Sequence, residues 1–397
     1  MHQLICTNCN ELYDDETKTG RCIKCDEPLE TVPVHDGQIS EEFPMEKGIF
    51  NRYGSFFPFL DLDDSLSLGE GTTPLVHLGK VNDEIKGSNI YIKNEGMNPT
   101  WSFKDRGTLT GILRAKAKGI KKIGTVSTGN MAASVAAYAA KAGIQATILV
   151  KEEMAEEKIG PIGIYGPRLI KVKGNYRELY SESIRLGQEN GIYFINSDAP
   201  YRVEGYKTTA FEIYEQLGSK IPDYIIIPTS AGGNFRGIEK GFRELQLSGI
   251  TDRMPILIAS QAKGCNPIVR AFESGSDKVE QLREYGTIAH AIENPFPPSG
   301  NQVLRLINKN RGLAVGVSEE DIIVHQRVLA KSGIFVQPAS ATSLAAANKL
   351  INEGTIPSDS KIVCIATASG LKFTESLKHH KIDVESCDIE DLENIMK

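Results

Sequence analysis

From about residue 88 onward the apolar positions follow two alternating rhythms. Short runs rich in β-branched residues read as strands: Asn89–Lys93, Lys122–Val126, Ala146–Val150, Leu169–Lys173, Ile192–Ile195, Tyr224–Pro228, Pro255–Ser260 and Lys361–Ala366. Between them, Thr208–Leu217, Ile238–Gln246, Ser318–Ala330 and Ala341–Ile351 carry apolar residues at helical spacing. This alternation predicts parallel strands joined by crossover helices, an α/β class with doubly wound parallel sheets covered on both faces. Sheets of that kind hold ligands at the carboxyl ends of their strands, and the polar segments discussed below all fall there. The segment Asn294–Gly300, with three prolines, reads as a loop.

A length of 397 residues exceeds one ordinary core and fits two domains plus an appendage. The formal charge of −6 argues against a nucleic-acid partner, because phosphate backbones are gripped by clustered cations. No apolar run approaches bilayer length and no signal-peptide core opens the chain, so the expectation is a cytoplasmic protein with no membrane partner.

Four of the seven cysteines form two CxxC pairs, Cys6/Cys9 and Cys22/Cys25, on a short turn-rich spacer. Two such knuckles present four thiolates to one tetrahedral ion and leave no open position, so residues 1–34 read as a ribbon with a structural zinc. Two chance or redox CxxC pairs are the alternative. Acidic residues outnumber Lys18, Arg21 and Lys24 here, which predicts a surface that repels phosphate. The remaining cysteines are scattered, which argues against a disulfide framework.

The candidate chemistry begins at Asn98–Gly107, where Lys104 follows a turn built from Pro99, Thr100 and Ser102 and precedes a helix starting near Asp105. An enclosed lysine can be neutral enough to form an imine; a solvated surface charge is the plain alternative. Ser127, Thr128, Gly129 and Asn130 end a strand and open the helix Met131–Lys141. Their hydroxyls and free N–H groups suit a carboxylate or phosphate as well as they suit simple N-capping. Ser230, Ala231, Gly232, Gly233 and Asn234 also follow a strand and precede a helix, a glycine turn whose amides can crowd a phosphate. Thr367 follows the buried run Val363–Ile365 and either faces the crevice or bonds its own turn.

These residues resemble pyridoxal-phosphate enzymes of the tryptophan-synthase-β fold, fold type II, and within them the threonine synthases. The resemblance runs from Leu68–Leu75 to Gly370–Phe373, and SFKDRG with STGN at this spacing is its most specific part. It implies that Lys104 holds pyridoxal 5′-phosphate as a Schiff base, that Asn130 contacts the phenolic oxygen, that Ser230 to Asn234 cradle the cofactor phosphate, and that Thr367 meets the pyridine nitrogen. It implies substrate binding by Ser127, Thr128 and Gly129 at the carboxylate, and by Asn196, Ser197 and Arg202 at a phosphate. The activity so implied is conversion of O-phospho-L-homoserine and water to L-threonine and phosphate. The resemblance further implies a large cofactor domain, 35–96 with 194–397, a small mobile domain, 97–193, and a homodimer. Departures from the family pattern are Trp101, Met131, Ser369 and the Asn294–Gly300 segment. A β-replacement on O-phosphoserine like that of cysteate synthase, a dehydratase-like elimination, and a zinc-ribbon binding protein on an inactive scaffold are the competing expectations.

Overall fold

Three sheets organise the computed structural model, which describes residues 3–14, 20–44, 48–79, 85, 89–127, 129–152, 154, 156–174 and 176–396. The first is a small antiparallel sheet of β1 (Gln3–Cys6), β2 (Leu12–Asp14) and β3 (Leu29–Thr31), in the order β2-β1-β3. Strands β4 (Leu75–His77) and β5 (Ile90–Asn94) join β10 (Tyr224–Pro228), β11 (Ile256–Ala262), β12 (Leu313–Val317) and β13 (Ile362–Ala366) in a six-stranded sheet ordered β12-β11-β10-β13-β5-β4. A four-stranded sheet holds β6 (Lys122–Val126), β7 (Gln145–Lys151), β8 (Arg168–Val172) and β9 (Tyr193–Phe194), ordered β8-β7-β6-β9. Every pairing in the two larger sheets is parallel except β4 with β5.

The expected class therefore holds, and each proposed strand lies within a residue or two of an observed one. Strand β12 escaped because its small residues, including Gly316, make no β-branched run, although Ala314, Val315 and Val317 are buried. Strand β4 escaped because it is a half-exposed edge that ends on His77. Continuous apolar sequence in β10 and β13 reflects burial on both faces of the sheet. Among the described residues no helix is long and apolar enough to cross a membrane.

The small sheet docks on its own chain rather than standing apart. Leu4, Cys6, Cys22 and Leu29 belong to the main hydrophobic core. From the helix Gly233–Leu247, Arg236 Nη2 donates to Leu29 O (3.0 Å), Lys240 Nζ donates to Thr31 O (2.6 Å), and Arg243 pairs with Glu30 (3.0 Å). Asn301 and Arg305 from the helix Gly300–Lys309 both donate to Glu27 at 2.8 Å. Glu27 and Glu30, two of the acids in this segment, are thus buried against cations, and the expected acidic surface is smaller than the composition implies.

A second set of buried charges ties the six-stranded sheet to the helix Lys104–Ala117. Arg106 bonds Glu95 at 2.7 Å and Glu212 at 2.6 Å, and Lys93 of β5 bonds Glu212 at 2.6 Å, all four side chains being fully buried. Removing one charge from such a cluster leaves its partners desolvated and unpaired, so Glu212→Gln is expected to cost about 3–5 kcal/mol. Urea denaturation reads this directly, and a midpoint equal to wild type would contradict it.

Candidate active site

Lys104 opens the helix Lys104–Ala117, and the turn in front of it is held by its neighbour. The Asp105 carboxylate accepts from Thr100 N and Thr100 Oγ1, both at 2.6 Å, so the turn expected at Pro99–Ser102 is locked to the helix start. Phe103 N donates to Thr367 O at 3.0 Å, which fixes the lysine beside the end of β13. Trp101, one of the departures from the family pattern, stands in the same turn. It is 51% exposed with a φ of 62°, a strained position for a bulky residue. The Lys104 Nζ lies 4.3 Å from the centroid of the Phe103 ring. Although part of the side chain stays accessible, burial of the amine, with repulsion from the Arg202 cation as the second cause, lowers its pKa to about 7.

Arg202 reaches Lys104 because two helices cross closely at glycines. In the helix Pro200–Tyr206, a Cβ at Gly205 would lie 2.1 Å from Arg106 O; on the opposing helix, one at Gly107 would lie 2.5 Å from Arg202 O. The Arg202 guanidinium is fully buried, with Nε donating to Tyr206 Oη at 2.9 Å and Nη2 reaching Lys104 O at 3.5 Å. Among the described residues its Nη1 has no partner. Glu204 does not neutralise it, being engaged instead with Lys207 and Lys240. Nearby, Ser197 is buried with an unpartnered Oγ. Asn196 is occupied differently: its Oδ1 accepts from Val126 N at 3.0 Å and ties the 196–202 segment to the end of β6.

The glycine turn lies where the strand–helix pattern predicts it. Gly232 sits at φ 96°, a conformation that favours glycine, and Gly233 begins the helix Gly233–Leu247. Asn234 is buried, with both amide atoms unpartnered among the described residues, while Ser230 and Ala231 remain partly accessible. The proline-rich segment is more than a loop, since Ser299 N donates to Ala231 O at 3.0 Å and so backs the turn. At the other strand end, Ser127 N donates to Leu149 O (3.1 Å) and Ser127 Oγ accepts from Gly129 N (3.3 Å); Thr128 lies outside the described residues. Asn130 Nδ2 donates to Gln337 Oε1 at 2.9 Å.

Gln337, Ser340 and Lys372 were not anticipated. Ser340 Oγ shares a 2.9 Å hydrogen bond with Thr367 Oγ1 and accepts from Ala368 N at 3.0 Å. Proline at the first helical position was the available signal: Pro338 opens the helix Pro338–Asn352, and reading it so would have placed Gln337 and Ser340 at a helix start beside β13. Lys372 Nζ donates to Thr100 O at 2.6 Å, and burial pulls its pKa down to about 8. Of the departures, Met131 is buried in the core and Ser369 Oγ accepts from Leu371 N at 3.3 Å.

The four knuckle cysteines also converge. All four Sγ atoms lie within 4.8 Å of one another, with Cys6···Cys25 at 3.5 Å, Cys9···Cys22 at 3.6 Å and Cys9···Cys25 at 3.7 Å. The amides of Asn8 and Cys9 donate to Cys6 Sγ at 3.4 and 3.5 Å. At the main site, an amine that can be neutral near pH 7 stands beside an unneutralised guanidinium and near a helix N-terminus. Such an arrangement binds anions and moves protons.

Residues 66–368 match the family described as pyridoxal-phosphate dependent enzyme. A threonine synthase of Methanocaldococcus jannaschii is 39% identical over 402 residues, covering 99% of this chain and 98% of that protein. One from Methanosarcina acetivorans is 36% identical, covering 95% of this chain and 94% of its own. Among solved structures, processed threonine deaminase isoform 2 of Solanum lycopersicum superposes with a TM-score of 0.65 at 22% identity. It covers 78% of this chain and 88% of its own, a likeness of fold alone.

If the Arg202 charge contributes to the depression at Lys104, Arg202→Met raises the pH at which Lys104 becomes reactive to an amine-acylating reagent above the wild-type midpoint of about 7. Burial remains in the variant, so the midpoint stays below that of a solvated lysine. Peptide mapping of acylation against pH in cofactor-free protein measures both, and identical midpoints would remove Arg202 as a cause.

Proposed function

The chain belongs to the pyridoxal-phosphate dependent enzyme family, and we propose that it catalyses the threonine synthase reaction, O-phospho-L-homoserine and water to L-threonine and phosphate. The observation that carries the substrate is Arg202, fully buried beside Lys104 with one donor nitrogen free. A dehydratase acting on a simple hydroxyamino acid has no use for a desolvated guanidinium there, whereas a phosphate monoester meets it with charge-assisted bonds.

The residues fit the cofactor. The unpartnered Asn234 amide and the Gly232–Gly233 turn, which leaves no room for a side chain against Ser299 and Val303, form a cradle for a phosphate at a helix N-terminus. Lys104 would hold the aldehyde carbon, Asn130 the phenolic oxygen, and Thr367 the ring nitrogen through a neutral hydroxyl already oriented by Ser340. When bound, pyridoxal phosphate supplies the electron sink that makes protons on the substrate α carbon removable. With a pKa near 7, Lys104 can take a proton from the α carbon, release it, and then take one from the β carbon; as phosphate leaves the γ carbon and the hydroxyl of water adds at the β carbon, protons return to the γ and α carbons. Ser127, Thr128 and Gly129 bind the substrate carboxylate at the start of the Asn130–Ala142 helix. Arg202 and Ser197 bind the phosphate and stabilise the charge that develops as it leaves, with Asn196 fixing their segment to β6.

The ribbon fits a structural zinc. A tetrahedral shell with metal–sulfur bonds of about 2.3 Å places sulfurs roughly 3.8 Å apart, close to the separations of the four thiols. Residues 97–193, carrying most of the four-stranded sheet, form a small domain that closes on the large one, 35–96 with 194–397. A reducing cytoplasm suits four thiols kept for metal.

Purified protein is expected to release phosphate from O-phospho-L-homoserine in step with threonine, read by phosphate assay and mass spectrometry. Lys104→Ala lowers kcat by about three orders of magnitude, and Arg202→Gln raises KM by roughly 10- to 100-fold. Release of phosphate without threonine would defeat the assignment. Elemental analysis is expected to find one zinc per chain, lost in Cys22→Ala; metal-free protein with four alkylatable thiols in the folded state would defeat the zinc reading.

A further inference from the structure

We propose that Arg21, the residue before the second-knuckle Cys22, is a positioning residue for the substrate-phosphate site. The inference rests on the assignment of Ser197 and Arg202 to that site. Arg21 Nη1 donates to Asp198 Oδ2 at 2.7 Å and to Pro298 O at 3.1 Å. Asp198 directly follows Ser197, and Pro298 directly precedes Ser299, whose amide holds the glycine turn through Ala231 O. One nitrogen therefore joins the segment that presents the substrate-phosphate groups to the loop that backs the cofactor-phosphate turn. The segment also touches the glycine turn itself, since a Cβ at Gly233 would lie 2.6 Å from Ser197 O.

The rest of the guanidinium is anchored within the ribbon. Arg21 Nε donates to Asp26 Oδ1 at 3.0 Å and Nη2 donates to Asp26 O, so the plane of the side chain is set by the knuckle that carries Cys22 and Cys25. Asp198 is tied on its far side as well, its Oδ1 accepting from the Tyr180 hydroxyl on the helix Tyr176–Asn190. Its side chain is 6% exposed, so loss of the guanidinium leaves a nearly buried carboxylate next to Ser197 to find another partner. Arginine suits this role because its rigid fork serves several acceptors in one plane, which a lysine cannot. By this arrangement the folded metal knuckle sets where Ser197 stands relative to the glycine turn, although no ribbon atom need touch substrate.

The test compares holoenzyme with its Arg21→Gln, Arg21→Lys and Asp198→Asn variants. Steady-state kinetics with O-phospho-L-homoserine is paired with calorimetric titration of inorganic phosphate, and zinc content and cofactor absorbance are measured on every sample. For Arg21→Gln and Asp198→Asn, KM and the phosphate dissociation constant are each expected to rise about tenfold while kcat changes less than about threefold. Arg21→Lys is expected to recover part of both, with zinc and absorbance as in wild type. If Arg21→Gln loses zinc or fails to fold, Asp198→Asn decides, since it leaves the knuckle untouched. Wild-type KM and phosphate affinity in the foldable variants would overturn the positioning role. So would a fall in kcat with KM and phosphate affinity unchanged. Wild-type protein that neither turns over the substrate nor binds phosphate would instead overturn the anion site beneath the proposal.

Discussion

The close crossing of the Lys104–Ala117 and Pro200–Tyr206 helices is the constraint on which the site depends. Any side chain at Gly107 or Gly205 would collide with main-chain atoms of the opposing helix, at 2.5 and 2.1 Å, and the helices would have to separate. With them together, the guanidinium of Arg202 reaches the first turn of the Lys104 helix and its charge is felt by the amine. Burial is the larger cause of the lysine's depression, and the backbone contact adds the second, the Arg202 charge.

Holding that contact requires charges to be buried on both sides of it. Arg106, two residues beyond Lys104, is clasped by Glu95 and Glu212. Glu204, two residues beyond Arg202, is clasped by Lys207 and Lys240. Each cluster is costly to desolvate, and neither is an efficient source of stability compared with apolar packing. Their value is in register: a helix that slipped by one residue would strand a charge. They also commit Glu95, Glu204 and Glu212 to other cations, so that among the described residues Arg202 is left without a carboxylate. Lys240 extends the same logic outward, since it bonds Thr31 of the ribbon as well as Glu204.

Much of this was legible in the chain, for identifiable reasons. The α/β class followed from periodicity because strands buried on both faces, such as β10 and β13, need continuous apolar sequence. Lys104, the glycine turn and Thr367 could be placed because each directly follows a strand or opens a helix, which local composition encodes. Their mutual contacts could not. Nothing in the sequence says that Asn130 meets Gln337, 207 residues away, or that Thr367 meets Ser340. The docking of the ribbon was hidden for a related reason. Glu27 and Glu30 look like solvated acids until their cationic partners on distant helices are known, and composition alone cannot separate a surface charge from an interfacial one.

The electrostatics also give the site a direction. Before an anion arrives, Arg202 and Lys104 compete for the same charge-poor environment, and the lysine yields because an amine can discard its proton while a guanidinium cannot. A phosphate bound at Arg202 would neutralise the second cause of the depression and leave only burial. In the proposed reaction Lys104 acts as a base only once it is released from the aldehyde carbon, and a phosphate on Arg202 would then make the freed amine better able to keep a proton it takes. A carboxylate paired permanently with Arg202 would have removed that change by holding the lysine's pKa high from the start. Under the proposed assignment, Arg202 would serve the acid–base chemistry as well as substrate recognition.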